Sequence, residues 1–449
     1  MVVENIAEVD AAGRYIPFPL VCRWLTMPSC TPFGEYNIYQ RRGYHSVCLQ
    51  PRLLWVGLEL RNRQKPDTPL FFCSQQSKNL ISPILGIWRT YKLIMNRDAA
   101  IDVLKGIGII LVVIGHSGCP QLLNCYIYSF HMPLFFIASG YFFNVNYLEN
   151  KKKYFERKVK GVYLPYLKWS VIFLFLHNFL YHCGILNPLY GNNDGVCSQL
   201  YSIKEILHRL LDIFFRMTSY EDFVLGAYWF MRSLFVGCLV LCFGAWIFNK
   251  VVNCQKKSIA IVLLFFCFIG GVMTFFDIHI PYFPQGGYRE VMAVFFLGCG
   301  YFLKQNDDYL CRSYVILTSL VILIICVTVH PTSMSYKATF DDWLVIPFTG
   351  ISGFILTYYV SKLIIKYNII SSAFIYVGRN TFYILTFHFL MFKPAALLYS
   401  YLYDLDWHVI GSHPVAMQIK DNWFWIIYSV STLIFSLLLM EILKRLRIE

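Results

Sequence analysis

Ten apolar runs follow one another between Met95 and the C-terminus, at 101–118, 124–144, 164–182, 226–248, 258–276, 288–304, 313–330, 343–361, 371–392 and 422–442. Each is close to the ~20 residues that carry an α-helix across the hydrocarbon core of a bilayer. Inside lipid the backbone finds no water to bond, so such a run must close its own hydrogen bonds as a helix. The runs confine the chain to one fold class: an all-α polytopic membrane protein, with about ten transmembrane helices in one bundle. Composition agrees. Only 14% of the residues are charged and 57% are hydrophobic, where a soluble domain carries about 25% charge.

Charge sets the orientation. A formal net charge of +13 would suggest nucleic acid in a soluble protein. Here the Lys and Arg gather in short breaks between apolar runs, which is how topogenic charge is placed, and nucleic acid is not an expected partner. KKKYFERKVK (151–160), NKVVNCQKK (249–257), KQNDDYLCR (304–312), SKLIIK (361–366) and KRLR (444–447) together hold sixteen Lys and Arg. The alternate loops are longer and hold fewer. The positive-inside rule then puts the basic breaks and both termini in the cytoplasm, with the bundle in the inner (plasma) membrane. Between the third and fourth runs, Ile203, Ile206, Leu207, Leu210, Leu211 and Phe214 recur at helical spacing within YSIKEILHRLLDIFFRM (201–217). That segment is expected to lie on the outer membrane surface or to cap the bundle there.

Two regions are expected: 1–94, a poorly structured extension or a mis-assigned start, and 95–449, the ten-helix membrane domain. Residues 1–94 hold eleven Lys/Arg, six Asp/Glu and many prolines, with no run long enough to span. The fifteen cysteines form no CxxC pair, so a zinc site is not expected and no metal is assigned. Cys119, Cys125, Cys183 and Cys197 fall in or beside outer loops, where a disulfide is an open alternative.

Ionisable groups inside a span are costly and commonly functional. The first span, DVLKGIGIILVVIGHS (102–117), contains several. Lys105 and His116 are eleven residues apart, which is within ~20° of three full turns and a rise of ~16 Å. They share one face at opposite depths. Asp102 lies one turn before Lys105 and can pair with it. The ordinary alternative is a snorkelling Lys105 and a His116 facing water at the helix end. The second span, FHMPLFFIASGYFF (130–143), carries His131 at about the depth of His116, then Pro133, Ser139 and Gly140. His131 alone is equally a buried, hydrogen-bonded histidine. Three more spans repeat the bias toward the outer end: Trp229 and Arg232 in GAYWFMRSLF, Arg289 and Glu290 in GGYREVMAVFF, and His388 in YVGRNTFYILTFHFLMF. Arg289 and Trp229 can also be interfacial anchors. Together these residues describe a polar pocket opening outward. Histidine suits general-base work near neutral pH, and arginine holds oxyanions or sugar hydroxyls. No phosphate loop, nucleophile elbow or spaced carboxylate pair is present, which argues against ATP-driven work, a serine hydrolase or a glycosidase.

DVLKGIGIILVVIGHS and FHMPLFFIASGYFF resemble the acyltransferase-3 family of membrane acyltransferases, especially the fucose 4-O-acetylase-like sugar O-acetyltransferases. YWF (228–230), FFLGCGYFL (295–303) and VGRNTFYILTFH (377–388) are weaker echoes in the right order. The likeness runs from about Arg97 to the tenth span. It implies a ten-helix bundle and transfer of an acyl group, usually acetyl, from acyl-CoA to a hydroxyl of a cell-surface or lipid-linked glycan, such as an exopolysaccharide or lipopolysaccharide. It implies that His116 is the catalytic histidine and Lys105 its basic partner. No bound cofactor is then expected; acetyl-CoA is a donor substrate. The remaining residues, Asp102, His131, Ser139, Trp229, Arg232, Arg289, Glu290 and His388, are candidates for holding acyl-CoA or acceptor. Expected partners are acyl-CoA, the glycan or lipid-linked sugar, the bilayer and other glycan-biosynthesis proteins. The rival readings are a glycan transporter or flippase, and a non-catalytic subunit of a glycan-assembly complex.

Overall fold

The computed structural model describes residues 99–446, except 193–194, 335–337 and 420–422, and the backbone of three short antiparallel strand pairs between residues 2 and 48. The chain divides into two units, Met1–Ile84 and Leu85–Glu449. The expectation for residues 1–94 falls outside the described residues except for those strands.

The second unit is helical. Its principal helices, in chain order, are α1 Ala99–His116, α2 Gln121–Tyr141, α3 Leu164–His182, α4 Ile203–Arg216, α5 Trp229–Val252, α6 Gln255–Phe275, α7 Tyr288–Gln305, α8 Ser313–Val329, α9 Phe340–Ile364, α10 Asn368–Arg379, α11 Thr381–Leu402 and α12 Phe424–Arg445. Among the described residues eight are long and apolar enough to cross a membrane: α1, α2, α3, α5, α6, α9, α11 and α12. The basic stretch 151–160 leads into α3 as helix rather than loop, through Lys151–Lys158 and a wider turn at Val159–Tyr163. Helix α8 is apolar but has 17 residues. Helix α7 carries Arg289, Glu290 and Lys304, yet every residue from Glu290 to Tyr301 is buried. It runs through the middle of the bundle, against α2, α5 and α6. The chain is an all-α polytopic membrane protein.

One span moves. The run at 371–392 is not one helix: Asn380, at φ −109° and ψ 19°, separates α10 from α11. The spanning helix begins ten residues later than expected, and α10 packs along α1 instead. Hydropathy merges the two because FIYVG and FYILTF are apolar on both sides of the break.

Close backbone approach decides which helices touch. A Cβ on Gly140 of α2 would fall 2.0 Å from the Leu297 carbonyl oxygen of α7, and one on Gly300 would fall 2.1 Å from that of Ile137. Small residues at such crossings let helices gain dispersion contacts where lipid offers no hydrophobic drive. Helix α4 is different. Ser202 caps it by accepting from the Glu205 backbone N–H, and Ile203, Leu207, Leu211 and Phe215 form an exposed apolar stripe. That stripe suits a helix lying in the membrane interface. Cys119, Cys125, Cys183 and Cys197 are all free thiols.

Gly140→Val and Gly300→Val are expected to lower the thermal midpoint of the detergent-solubilised protein strongly, since overpacking costs about 1–3 kcal/mol or more. Gly161→Ala, whose new methyl meets nothing within 4 Å, leaves it nearly unchanged. Equal melting of all three would contradict the α2–α7 packing.

Candidate functional site

At the start of α1 the Asp102 carboxylate is only 1% exposed. Lys105 Nζ lies 2.8 Å from its Oδ1, one turn along the same helix. Arg379 Nε donates to its Oδ2 at 3.0 Å from the end of α10. The second contact depends on two glycines. A Cβ on Gly378 would fall 1.8 Å from the Asp102 carbonyl oxygen, and one on Gly106 would fall 2.3 Å from that of Phe374. Backbones this close bring Arg379 to Asp102 and leave the carboxylate shared by two cations. A carboxylate buried in such surroundings must be paired to stay ionised.

Three turns further along α1, His116 sits in a cluster of rings. Its Nδ1 is 2.9 Å from the Tyr128 hydroxyl of α2. Its ring centroid is 5.5 Å from His388 and 5.0 Å from Phe389, both on α11. Tyr128 lies 5.0 Å from His131, edge to face. His131 Nδ1–H donates to the Ile127 carbonyl at 2.7 Å, and His388 Nδ1–H to that of Leu385 at 2.9 Å. Each contact fixes the tautomer, because a backbone carbonyl can only accept. In both rings the lone pair is on Nε2, and in His388 that nitrogen is buried without a partner.

His413, in the connection between α11 and α12, completes the cluster. Its ring lies 4.7 Å from Phe389, and its Nδ1 is buried and unpartnered. Burial, reinforced by the neighbouring Lys393 ammonium, pushes its pKa down to about 3, so the ring is neutral at physiological pH. The loop before it is fastened from inside the bundle: buried Lys393 donates to the carbonyls of Ile410 at 2.7 Å and Ser412 at 2.9 Å. The His413 N–H donates to the Gly191 carbonyl at 2.9 Å.

The remaining candidates form other groups. Arg232 of α5 and Glu290 of α7 make a buried ion pair at 3.1 Å, and the Ser233 hydroxyl donates to the same Glu290 oxygen at 3.0 Å. The second Glu290 oxygen is buried without a partner. Arg289 lies over the Trp229 ring at 4.3 Å and donates to the Met334 carbonyl at 3.2 Å. A tyrosine path joins this group to α11. Tyr220 and Tyr228 have rings 6.0 Å apart, and the Tyr228 hydroxyl bonds Thr386 at 2.8 Å, half a turn before His388. Ser139 belongs to neither group; its hydroxyl lies 3.8 Å from Cys238 Sγ, two turns along α2 from His131.

The structure therefore brings His116, His131 and His388 together and pairs Arg232 with Glu290. Lys105 and Asp102 stand at the other end of α1. Tyr128, Arg379 and His413 have no signal in the spacing. Tyr128 is a further aromatic in an aromatic-rich helix, Arg379 lies inside a run read as one span, and His413 lies outside every apolar run. Chemically, the histidine cluster offers acceptor nitrogens in dry surroundings, which suits taking a proton from a hydroxyl. Among the described residues no group of side chains could hold a metal ion.

A family model described as an acyltransferase domain matches residues 98–441. No curated protein and no solved structure matches the chain.

Removing one partner of the Arg232–Glu290 pair leaves a buried charge alone, at a cost of about 3–5 kcal/mol. Arg232→Met and Glu290→Leu are each expected to destabilise, and the double variant to be more stable than either single. Additive losses in a double-mutant cycle would show that the two side chains do not couple.

Proposed function

The chain belongs to the acyltransferase-3 family, and on that premise we propose that this membrane acyltransferase moves acetyl from acetyl-CoA to a hydroxyl of a cell-surface or lipid-linked glycan. The observation that carries the reading is the two-ended face of α1. A buried carboxylate with two cations stands at one end, and a histidine cluster stands about four turns away at the other.

The basic end faces the cytoplasm, where acyl-CoA is made. The nucleotide of the donor binds there, beside Lys105. Its thin pantetheine arm follows α1 over the ~16 Å that separates Lys105 from His116. The acceptor enters from the opposite side, among His131, His388, Arg232, Arg289 and Glu290.

His116 is the general base. In its active tautomer Nδ1–H donates to the Tyr128 oxygen, which leaves the lone pair on Nε2. That nitrogen takes the proton of the acceptor hydroxyl as the oxygen attacks the thioester carbonyl. The tetrahedral intermediate collapses, the C–S bond breaks, and the proton on His116 leaves with the thiol of CoA. A base so placed contributes about 10²–10⁴-fold. The imidazolium that forms as His116 takes the proton sits in dry surroundings, where the Tyr128 oxygen and the oxyanion forming beside it stabilise it. An acetyl-histidine intermediate is the competing route, and rapid-quench isolation of acyl-enzyme would favour it.

Labelled acetyl-CoA added to membranes is the test. Wild type transfers label to glycan, and His116→Ala loses about 10²–10⁴-fold of the rate. Tyr128→Phe keeps the fold and loses less, since it removes only the group that orients the ring. Transfer that survives His116→Ala refutes the assignment of the base. Movement of unmodified glycan without acetylation favours a transporter or flippase.

A further inference from the structure

Arg379 takes no part in the chemistry at His116, and its surroundings point to a ligand. Its Nε is committed to Asp102 at 3.0 Å, an oxygen pair that Lys105 also uses at 2.8 Å. Two full positive charges thus answer one carboxylate. Arg379 Nη2 is buried and has no hydrogen-bond partner. Native proteins keep few buried donors unpaired, and those that persist commonly have a use. The side chain as a whole is 24% exposed, while Nη2 itself is covered, so a ligand meets the exposed part of the side chain first.

The neighbouring groups do not cancel the excess. From α12, Lys444 reaches Glu441 at 3.5 Å and the Asn380 side-chain oxygen at 3.3 Å. Glu441 also accepts from the Tyr376 hydroxyl at 2.7 Å. Among the described residues, Lys105, Arg379 and Lys444 face Asp102 and Glu441, and Arg445 also acts on Glu441, so positive charge is in excess. The Asn380 oxygen is taken by Lys444 and its amide nitrogen donates to the Tyr376 carbonyl at 2.8 Å.

We infer that Arg379, held by Asp102 beside Lys105, is a phosphate ligand for the nucleotide end of the donor. With Nε fixed on the carboxylate, the Nη nitrogens are the donors left for a phosphate oxygen. The planar guanidinium suits that contact better than an ammonium does. Asp102 is the positioning residue: it keeps two like charges side by side so that an anion can meet both. This inference deepens the function proposed above and rests on it. It adds that the enzyme recognises its donor by phosphate as well as by the acyl arm.

The test uses the full chain in detergent or nanodiscs and compares two ligands by calorimetry: acetyl-CoA, and S-acetylpantetheine, which carries no phosphate. Wild type is expected to bind acetyl-CoA the more tightly, with an affinity that falls as salt rises. Arg379→Gln is expected to lose at least tenfold in acetyl-CoA affinity and much of that salt dependence, with no change toward S-acetylpantetheine. Arg379→Lys, which keeps the charge but not the fork, falls between them. Unchanged acetyl-CoA binding in Arg379→Gln overturns the inference. So does an equal loss for both ligands, which marks Arg379 as a clamp between α1 and α10 and nothing more. Failure of wild type to bind either ligand overturns the proposed donor itself, and the inference with it.

Discussion

Asp102 is a carboxylate taken out of water at the start of the first membrane helix, and it must be neutralised where it stands. Lys105 can do this from the same helix, but Arg379 comes from a segment 277 residues away. The pairing draws α10 along α1, and the Gly106 and Gly378 contacts let the two backbones meet. Because α10 ends there, the chain must turn at Asn380 and start α11 at the same level. The position of α11 then sets where His388 and Phe389 meet His116. One buried charge at one end of the bundle therefore helps to place the rings at the other.

The bundle treats its polar groups in two ways. At the basic end one buried carboxylate holds two partly exposed cations, and water is near enough to share the cost of holding them. In the histidine cluster, His131 and His388 each hold a backbone carbonyl through Nδ1, and His116 holds the Tyr128 hydroxyl. A neutral imidazole is the cheaper polar group to bury, and it is also the form that accepts a proton.

Much of this was legible from residue spacing. The apolar runs locate nine of the ten expected spans as helices close to where they stand. The eleven-residue interval places Lys105 and His116 on one face, and the three-residue interval predicts the Lys105–Asp102 contact that is present at 2.8 Å. His131 and His388 were legible as residues of similar depth to His116. Ser139, a candidate for holding acyl-CoA or acceptor, faces Cys238, because hydropathy says nothing about which neighbour a helix face meets.

What the sequence by itself determined is most of the helices and the two-ended face of α1. These follow from local rules: a span must close its own hydrogen bonds, and a helix turns about 100° per residue. Only the tertiary structure decided the partners. Arg379 reaches Asp102, Arg232 pairs with Glu290, and His413 is carried to Phe389 by a loop that Lys393 fastens. No periodicity encodes these contacts, because they join residues tens to hundreds apart through helix crossings that small side chains permit.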